Sequence, residues 1–399
     1  MYRLQNNIEI VSGAKHFCIY DFNTEKMYSI DKDGIDVLEK VLNSEERDLS
    51  SEEAELAQYL INEGILVKED NLLEEIQPQE YKMSVDFAWI EITQNCNLIC
   101  RHCYEGSTRC EKKPEMSVDN FKRVINELET MGVDSIQLVG GEPLMHSQIE
   151  QLIGYVVGKF SYIEIYTNGI LLTERLLDII EKNKITIALS MYSEDDKIHD
   201  YVTRTPGSLN LTKKHIQQAL DKGISIRVAS VEMKGVPQFK LTSFEAPFRS
   251  DLPRLTGRAD LSLYTRDMLR RKLITKKTFS RPIGIQEFYK NKSIHNCFGE
   301  RLYVDYELNL YPCAMERRVN YGNLLDKPLK ALVHNKYAEI TKDKIRGCKD
   351  CEYRYACYDC RCDSNSQTID AKPWYCTYDH ENGVWINEEE FIDNLLKDK

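Results

Sequence analysis

A short loop of this chain carries three cysteines, Cys96, Cys100 and Cys103, separated by three and two residues. The loop directly follows a segment typical of a β-strand. Three thiolates can bind three irons of a cubic 4Fe-4S cluster and leave the fourth iron open for chemistry, whereas a structural zinc site needs a fourth protein ligand. Taken alone, the loop is equally compatible with a zinc site or with buried free cysteines.

A second motif lies one helical segment downstream. The apolar stretch Ile136–Val139 ends in Gly140, Gly141, Glu142 and Pro143. Glycines let a ligand approach the backbone closely, and a carboxylate accepts hydrogen bonds from an ammonium group. By itself the motif is an ordinary turn, but its position after the cysteine loop favours a binding role.

Together the two motifs resemble the radical SAM superfamily. The resemblance implies that the iron left open by Cys96, Cys100 and Cys103 binds the amino and carboxylate groups of S-adenosylmethionine. Gly140 to Pro143 would hold the amino group, and His102 stands where the family keeps an aromatic side chain beside the adenine. It also implies reductive cleavage of S-adenosylmethionine, with the electron supplied by a reductant such as flavodoxin or ferredoxin.

Length and composition fit a large intracellular enzyme. A chain of 399 residues predicts two or three domains. No stretch approaches the roughly 18 to 20 consecutive apolar residues of a membrane span, and residues 1–7 lack a signal-peptide pattern, so we expect a cytoplasmic protein without a membrane partner. In a reducing compartment, the 13 cysteines indicate metal or redox chemistry and not a disulfide framework.

Acidic residues are concentrated at the start of the chain. Residues 1–80 hold 7 Lys and Arg against 19 Asp and Glu, a net charge of −12, whereas the remainder has 46 against 45. Such a segment repels nucleic acid and attracts a cationic partner. A merely solubilising acidic surface is the alternative.

The same 80 residues predict a small independent domain. Alternating apolar residues predict strands at Ile8–Val11, His16–Tyr20 and Met27–Ile30. Two helices follow, and a last strand is expected at Ile65–Lys68 after Gly64. In the first helix Ile35, Leu38 and Leu42 share a face; Ser50 with Glu53 caps the second, whose Leu56, Tyr59 and Leu60 face inward.

This outline resembles the winged-helix-like peptide-recognition domain of maturases that act on ribosomally made peptides. The resemblance implies that the domain captures a leader peptide by strand addition. A generic small domain remains the alternative.

From residue 85 onward, strand and helix patterns alternate as in a parallel α/β barrel. Strands are predicted at Phe87–Thr93, Ile136–Val139, Ile163–Tyr166, Ile185–Ser190, Ile224–Val228 and, as a sixth, Leu241–Phe244; helices are predicted at 148–159, 173–182, 209–222 and after Ser117. By the family resemblance, these units form a partial (β/α)6 barrel. We therefore expect domains at 1–80, 81–250 and 291–399, joined by a connecting segment at 251–290.

Polar residues end several of these strands, where parallel α/β folds place their sites. Thr167 and Asn168 follow the third strand, and Ser190 ends the fourth. These side chains suit a ribose or a carboxylate, but they are equally common in turns. Further along, Arg204 lies in a stretch similar to one in the superfamily's peptide-modifying members, where it would meet the methionine carboxylate; a helix cap is the alternative.

Eight cysteines follow the barrel, at Cys297, Cys313, Cys348, Cys351, Cys357, Cys360, Cys362 and Cys376. A zinc ribbon explains two close pairs at most. The pattern resembles the SPASM extension, which carries two auxiliary 4Fe-4S clusters. By that resemblance one cluster is bound by the set Cys348, Cys351, Cys357 and Cys376, and the other by Cys297, Cys313 and Cys360.

Two departures from the SPASM pattern affect this assignment. Spacing leaves open whether Cys360 or Cys362 serves the inner cluster, and Leu308 stands where a glycine is expected. With only three ligands, the inner cluster would have an open iron that could take a substrate thiolate. Cys18 and Cys110 receive no role.

Three functions follow from these patterns. The favoured one is a radical SAM peptide maturase that installs a cross-link, preferably a thioether, in a ribosomally made precursor peptide whose leader carries Lys to match the acidic segment. The second is a sulfatase-type maturase that oxidises Cys or Ser to formylglycine. The third is a zinc-binding interaction protein.

Overall fold

The computed structural model describes residues 2–43, 49–68, 71–81, 83–107, 113–281, 283–334, 339–364 and 368–397. Its amino-terminal part contains β1 (Tyr2–Leu4), β2 (Ile8–Ser12), β3 (His16–Asp21), β4 (Lys26–Asp31), α1 (Lys32–Asn43), α2 (Ser51–Asn62) and β5 (Leu66–Lys68). Strands β2, β3 and β4 form an antiparallel sheet with β3 in the middle, and β1 pairs antiparallel with β5. The strands predicted here are confirmed to within one or two residues.

Helix α2 begins with the predicted capping box. The Ser50 hydroxyl accepts from the Glu53 N–H, and the Glu53 carboxylate accepts from the Ser50 N–H. The prediction that Tyr59 faces inward is wrong, since its side chain is 50% exposed. The buried stripe of this helix is narrow and centred on Ala57 and Leu60, so Tyr59 falls outside it.

Strand β3 connects this part of the protein with the rest. Its side chains alternate, so that Ile19 packs against α1 and α2 while Cys18 and Tyr20 point the other way. Tyr20 packs on Phe288, with ring centroids 4.9 Å apart, and its hydroxyl donates to the carbonyl of Glu352 at 2.9 Å. The amino-terminal sheet is therefore held on the carboxy-terminal part by a shared apolar core.

The barrel strands are β6 (Phe87–Thr93), β7 (Ser135–Gly140), β8 (Tyr162–Thr167), β9 (Thr186–Ser190), β10 (Ile226–Val231) and β11 (Phe248–Asp251). They run parallel in the order β11-β10-β9-β8-β7-β6. The sixth strand predicted at Leu241–Phe244 is wrong, because the strand that pairs with β10 comes four residues after that range. An apolar run alone does not fix which part of a loop reaches the sheet.

The barrel region also contains α3 (Val118–Thr130), α4 (Ile149–Val156), α5 (Glu174–Lys182), α6 (Asp196–Thr203) and α7 (Ser208–Asp221). Helices α3, α4, α5 and α7 cover the outer face of the sheet, whereas Val202 of α6 packs in a separate cluster with Tyr192 and Met233. Ser117 caps α3 as predicted, and Phe121, Val124, Ile125 and Leu128 are buried. Along β6, Ala88, Ile90 and Ile92 join that core. Trp89, Glu91 and Thr93 therefore occupy the inner face of the curved sheet.

The carboxy-terminal part contains α8 (Arg266–Lys272), α9 (Ile285–Ser293), β12 (Arg301–Val304), β13 (Asn309–Tyr311), β14 (Gly322–Asn323), α10 (Leu329–Val333), β15 (Tyr378–Asp379), β16 (Val384–Trp385) and α11 (Glu388–Lys397). Strand β12 pairs parallel with β6, and β13 and β14 continue the same sheet antiparallel. The cysteine-rich region is thus attached directly to the first barrel strand.

Among the described residues, none of the helices combines the length and the apolar character that crossing a bilayer requires.

Candidate active site and cysteine sets

The loop of Cys96, Cys100 and Cys103 is anchored to the end of α6. The Ile99 N–H donates to the Thr203 carbonyl at 3.2 Å, and the Arg101 N–H donates to the Val202 carbonyl at 3.0 Å. Within the loop, the Leu98 N–H donates to Cys96 Sγ at 3.4 Å. These backbone contacts hold the loop between the end of β6 and a helix about a hundred residues away.

Arg258 holds the other side of this loop. Its N–H donates to the Cys103 carbonyl at 3.0 Å, and its guanidinium donates to the carbonyls of Cys100 at 2.8 Å and Ser107 at 2.7 Å. A Cβ on Gly257 would lie 2.4 Å from the Cys103 carbonyl oxygen. The sequence assigned this Gly-Arg pair only to a connecting segment, and no local pattern reveals its contact with a loop 150 residues earlier.

The pKa values of the loop thiols reflect close packing. Burial raises the pKa of Cys96, and the nearby Glu142 and the other two loop cysteines raise it further. Burial and Cys103 raise the pKa of Cys100 to about 12, although Arg258 opposes this shift. The described cysteines form no disulfides. Three half-buried thiols on one loop, electrostatically coupled in this way, are suited to a cationic metal group.

The backbone of residues 93–95 packs so closely on Gly140 and Gly141 that neither position has room for a side chain. A Cβ on Gly140 would lie 2.2 Å from the Thr93 carbonyl oxygen, and one on Gly141 would lie 2.5 Å from that of Asn95. The Gly141 N–H donates to Thr93 at 2.9 Å, and the Glu142 N–H donates to Asn95 at 2.7 Å. The turn is thereby joined to the residues that lead into the cysteine loop.

The carboxylate of Glu142 points into the protein. It accepts from the Thr167 hydroxyl at 2.6 Å, from the Asn168 N–H at 2.8 Å and from the Leu144 N–H at 3.1 Å. Its side chain therefore orients the turn through hydrogen bonds within the protein. Burial raises the pKa of Glu142 to about 7, although these hydrogen bonds oppose the shift.

Thr167 and Asn168 connect the third strand to both motifs. The Asn168 amide donates to the side chain of Asn97 in the cysteine loop at 2.7 Å. Thr167 is buried and receives the Gly169 N–H at 3.0 Å while it donates to Glu142. The structure thus places both residues beside the predicted site, in contact with its turn and loop. Asn97 was not predicted, although it stands inside the cysteine motif.

His102 lies against aromatic side chains. Its ring meets that of Tyr192 edge-on, with centroids 4.7 Å apart, and Tyr192 lies 5.5 Å from the ring of His199. Nδ1 of His102 is buried and has no hydrogen-bond partner among the described residues. Burial, together with the positive charge of Arg258, lowers the pKa of His102 to about 4, so the imidazole is neutral at physiological pH.

The remaining predicted contacts differ in exposure. Ser190 ends β9, and its side chain hydrogen-bonds with Tyr166 and Tyr192. Burial raises the pKa of both phenols, and the hydrogen bond with Ser190 opposes this shift. Arg204 is exposed and has a left-handed backbone, with φ of 52°, at the end of α6. A cavity of about 400 Å³ separates the cysteine loop from the segment after Arg204; it is lined by Cys96, Asn97, Met145, Ile170, Thr205, Pro206, Ser208 and Leu211.

The structure brings one set of carboxy-terminal cysteines together: Cys348, Cys351, Cys357 and Cys376. The Cys351 N–H donates to the Cys348 carbonyl at 3.0 Å. Burial and then Cys357 raise the pKa of Cys376 to about 11, and the same two causes raise the pKa of Cys351. These four are the residues that the sequence grouped.

A second set comprises Cys297, Cys313, Cys360 and Cys362. The sulfur atoms of Cys360 and Cys362 lie 3.2 Å apart. A hydrogen bond with Cys360, together with burial, raises the pKa of Cys297, and burial together with Cys360 raises that of Cys313 to about 11. Both residues that the spacing left ambiguous therefore lie in the same set. Cys110 lies outside the described residues.

A buried ionic network lies between the two sets. Asp359 follows Cys357 by two residues and is contacted by Lys342 at 2.8 Å, by His295 at 3.1 Å and by Arg361. Although burial opposes them, these three groups hold the pKa of Asp359 well below its usual range. Such compensation is necessary for a fully buried carboxylate, and it fixes the chain between the two sets.

Comparison with known proteins identifies the barrel. The radical SAM superfamily model matches residues 90–245. The parallel barrel is a radical SAM domain. This match covers most of the parallel barrel, including the cysteine loop and the Gly-Gly-Glu-Pro turn, and it confirms the resemblance inferred from those motifs. The family implies S-adenosylmethionine and one 4Fe-4S cluster as cofactors.

Two curated relatives illustrate the range of functions that share this radical SAM domain. The subtilosin biosynthesis protein AlbA of Bacillus subtilis is 34% identical over 144 residues, which are 36% of this chain and 32% of AlbA. A GTP 3',8-cyclase of Clostridium perfringens is 28% identical over 158 residues, which are 38% of this chain and 48% of the cyclase. The matched region thus spans about a third to a half of these relatives.

Solved structures with the same fold extend beyond the radical SAM domain. SuiB of Streptococcus suis, solved bound to its precursor peptide SuiA, has a TM-score of 0.53 at 15% identity and covers 91% of this chain and 96% of SuiB. The structure of anSMEcpe with bound AdoMet has a TM-score of 0.53 at 16% identity and covers 78% of this chain and 93% of anSMEcpe. At these identities the likeness concerns the fold.

Proposed function

We propose that the protein is a SPASM-type peptide maturase that abstracts a hydrogen from a ribosomally made precursor peptide and installs an intramolecular cross-link, with a thioether as the favoured bond. The observation that carries this proposal is the presence of two further sets of four cysteines behind a radical SAM domain. That domain alone is shared with GTP 3',8-cyclases and does not distinguish them. Cysteine sets able to hold auxiliary clusters fit a reaction in which an electron must leave the substrate.

The cysteine loop fits a 4Fe-4S cluster with one open iron. Cys96, Cys100 and Cys103 are close and free, and Cys96 lines the adjoining cavity of about 400 Å³. When bound there, the cluster and S-adenosylmethionine would supply the one-electron cleavage that starts hydrogen abstraction. The protein's own contribution is positional: Arg258 and α6 hold the loop, and Glu142 orients the backbone of Gly140 and Gly141 toward the amino group of the ligand.

The two carboxy-terminal sets would each hold an auxiliary 4Fe-4S cluster. Because Cys360 and Cys362 both lie with Cys297 and Cys313, the inner cluster would have four protein thiolates. A complete set needs no thiolate from the substrate. We therefore assign this cluster to electron transfer, and the substrate thiol would attack the oxidised carbon without binding iron.

The amino-terminal domain would bind the leader of the precursor peptide. Its sheet β2-β3-β4 has two outer strands, each paired on one side only among the described residues, and an edge strand can pair with an extended peptide. The net charge of −12 over residues 1–80 favours a leader rich in Lys. SuiB matches 91% of this chain and anSMEcpe 78%, so the fold shared with a precursor-binding enzyme is the more extensive one.

Formylglycine formation on a protein substrate is the second candidate. The chain also shares its fold with anSMEcpe, which has been solved with bound AdoMet and a peptide. The two functions differ in their products. A cross-link removes two hydrogen atoms, about 2 Da, and leaves no aldehyde, whereas formylglycine reacts with a hydrazide probe.

The test combines metal analysis with product analysis. The protein is purified anaerobically, reconstituted, and assayed for iron, sulfide and reductive cleavage of S-adenosylmethionine. It is then incubated with candidate precursors, chosen as short peptides encoded in neighbouring reading frames. We expect about 12 irons per chain, cleavage that is lost in Cys96→Ala, and a peptide lighter by about 2 Da that is unreactive toward hydrazide. A colourless zinc protein without sulfide would contradict the proposal, and a hydrazide-reactive product would favour the second candidate.

A further inference from the structure

A larger cavity, of about 720 Å³, lies between the barrel and the carboxy-terminal region. Trp89 and Arg301, near the starts of β6 and β12, line it on the barrel side. Cys297, Cys313 and Cys360 of the second cysteine set line it on the other side. The cavity therefore extends from the amino ends of these two barrel strands to the cysteines of the proposed inner auxiliary cluster.

The wall of this cavity is strongly basic. Among the described residues, its charged lining consists of six cations, Arg254, Arg271, Lys272, Lys277, Arg281 and Arg301, and two acids, Glu300 and Asp359. This excess is local, because residues 81–399 as a whole carry 46 Lys and Arg against 45 Asp and Glu. A concave surface with one dominant sign of charge concentrates ligands of the opposite sign.

The two acids of the wall are already neutralised. Glu300 is paired with Lys290 at 2.5 Å, and Asp359 is bound by the buried network that includes Lys342 at 2.8 Å. Neither carboxylate is therefore available to the cations across the cavity.

Half of the cations have acidic partners of their own. Arg254 and Lys272 share Asp363, each at 2.9 Å, and Arg271 is paired with Glu232 at 2.5 Å. Lys277, Arg281 and Arg301, in contrast, are exposed and have no ionic partner among the described residues. Three uncompensated cations thus face the same cavity.

The other lining residues suit a peptide better than a nucleotide. Thr275, Thr278 and Asn296 offer hydrogen bonds, and the rings of Trp89 and Tyr358 offer apolar surface. No glycine belongs to the described lining, so the wall lacks the backbone N–H cradle that commonly holds a polyphosphate.

We propose that this cavity binds an acidic segment of the peptide substrate, with Asp or Glu carboxylates paired to Lys277, Arg281 and Arg301. The inference rests on the proposed function and names the chemical class of its substrate. Since residues 1–80 favour a cationic leader, the precursor would have two oppositely charged parts. Its leader would be basic and bind the amino-terminal domain, and the segment that is modified would be acidic and bind this cavity.

Binding of a defined acidic probe tests the proposal. Fluorescein-labelled hexaglutamate is titrated into the anaerobically reconstituted enzyme, and its anisotropy is followed at low and high salt. We expect the triple variant Lys277→Glu, Arg281→Glu and Arg301→Glu to bind the probe about 10-fold more weakly or worse, since three attractive pairs become repulsive. Arg281→Ala alone, a change at an exposed side chain, should weaken binding about twofold to threefold.

A matched triple variant controls for net charge. Arg123, Lys182 and Lys214 are exposed side chains on α3, α5 and α7, on the outer face of the barrel. Changing all three to Glu alters the net charge by the same amount as the cavity triple does, and binding should stay within about twofold of wild type. Iron content and circular dichroism check that both triples fold.

The outcomes are distinct. Equal loss of affinity in both triples, or none in the cavity triple, would overturn the proposal, as would hexalysine that binds as tightly as hexaglutamate. GTP that displaces hexaglutamate at a concentration about 100-fold lower than the peptide requires would favour a nucleotide site instead. Because the titration needs no turnover, failure of wild-type enzyme to cleave S-adenosylmethionine would contradict the proposed function separately.

Discussion

The hydroxyl of Thr167 donates to the carboxylate of Glu142 at 2.6 Å, which joins the ends of two neighbouring barrel strands. Because Glu142 also accepts the N–H groups of Leu144 and Asn168, its oxygens are largely satisfied within the protein. The acid of the Gly-Gly-Glu-Pro turn therefore shapes the backbone of the proposed ligand site. Its charge state should affect how well that backbone is held.

This arrangement predicts a specific pH dependence. The folded pKa of Glu142 is about 7, above the unfolded value of about 4.3, so its contribution to stability is complete below pH 4 and is lost as the pH rises through 7. Between pH 5 and 8 the apoprotein should lose up to about 3 kcal/mol of stability through this group. Thermal unfolding of wild type and Glu142→Gln across this range measures the difference.

Only the slope of the stability difference with pH is informative, because replacing the carboxyl group by an amide also changes the packing energy by an amount that does not depend on pH. Glu91, whose pKa burial also raises to about 7, is present in both proteins and cancels. Parallel pH profiles for the two proteins would contradict the assignment.

Gly141 of the turn and Gly154 of α4 should respond differently to replacement by alanine. In Gly141→Ala the new Cβ would meet the carbonyl oxygens of Asn95 at 2.5 Å and Gln94 at 2.6 Å, and these backbone atoms lead directly into the cysteine loop. We expect this variant to lose the iron of that loop, about four per chain, and with it the cleavage of S-adenosylmethionine.

Gly154 provides the matched control. It lies within α4, and a Cβ there meets nothing within 4 Å. Gly154→Ala should retain full iron content and gain up to about 1 kcal/mol of stability from helix propensity. Iron analysis and thermal unfolding of the two variants test this expectation. A normal iron content in Gly141→Ala would contradict it, because the cysteine loop would then tolerate a shift of the backbone at residues 94 and 95.

At Leu308, we expect glycine to be a less destabilising replacement than alanine, which reverses the usual order. It stands where the SPASM pattern expects glycine, and it adopts φ of 70° while its side chain is fully buried. Alanine would lose the packing and keep the backbone strain, whereas glycine would lose the packing but relieve about 1–2 kcal/mol of strain. Leu308→Gly should therefore unfold at a higher temperature than Leu308→Ala, and the usual opposite order would contradict this account.

Periodicity and spacing predicted much of the fold because they report local physics. Five of the six barrel strands, the capping box at Ser50 and the buried face of α3 follow from alternation, helical spacing and capping residues. The sixth strand was displaced, and Tyr59 was placed inward, because the reach of a loop and the width of a buried stripe depend on tertiary packing. Local sequence does not contain that information.

In the candidate site, too, local motifs could be predicted from the sequence, whereas contacts between distant segments could not. The cysteine motif and the turn were visible as sequence patterns, whereas Arg258 and the hydrogen bond between Asn97 and Asn168 arise from contacts between distant segments. Packing of Tyr20 on Phe288 was equally hidden. That contact means that removing residues 1–80 would expose an apolar surface, so point changes on the strand edges test leader binding more cleanly than a truncation does.

Cys362 gives the last prediction, which concerns the number of ligands in the second cysteine set. Its sulfur lies 3.2 Å from that of Cys360, so both should serve the same cluster. Cys360→Ala and Cys362→Ala should each lower the iron content from about 12 to about 8 per chain, because a 4Fe-4S cluster lacking one of four thiolates is readily lost. Cys18→Ala, which removes a buried thiol of the amino-terminal sheet, should leave the iron content unchanged. Full iron in Cys362→Ala, with loss only in Cys360→Ala, would instead leave three protein ligands and restore the open iron to which a substrate thiolate could bind.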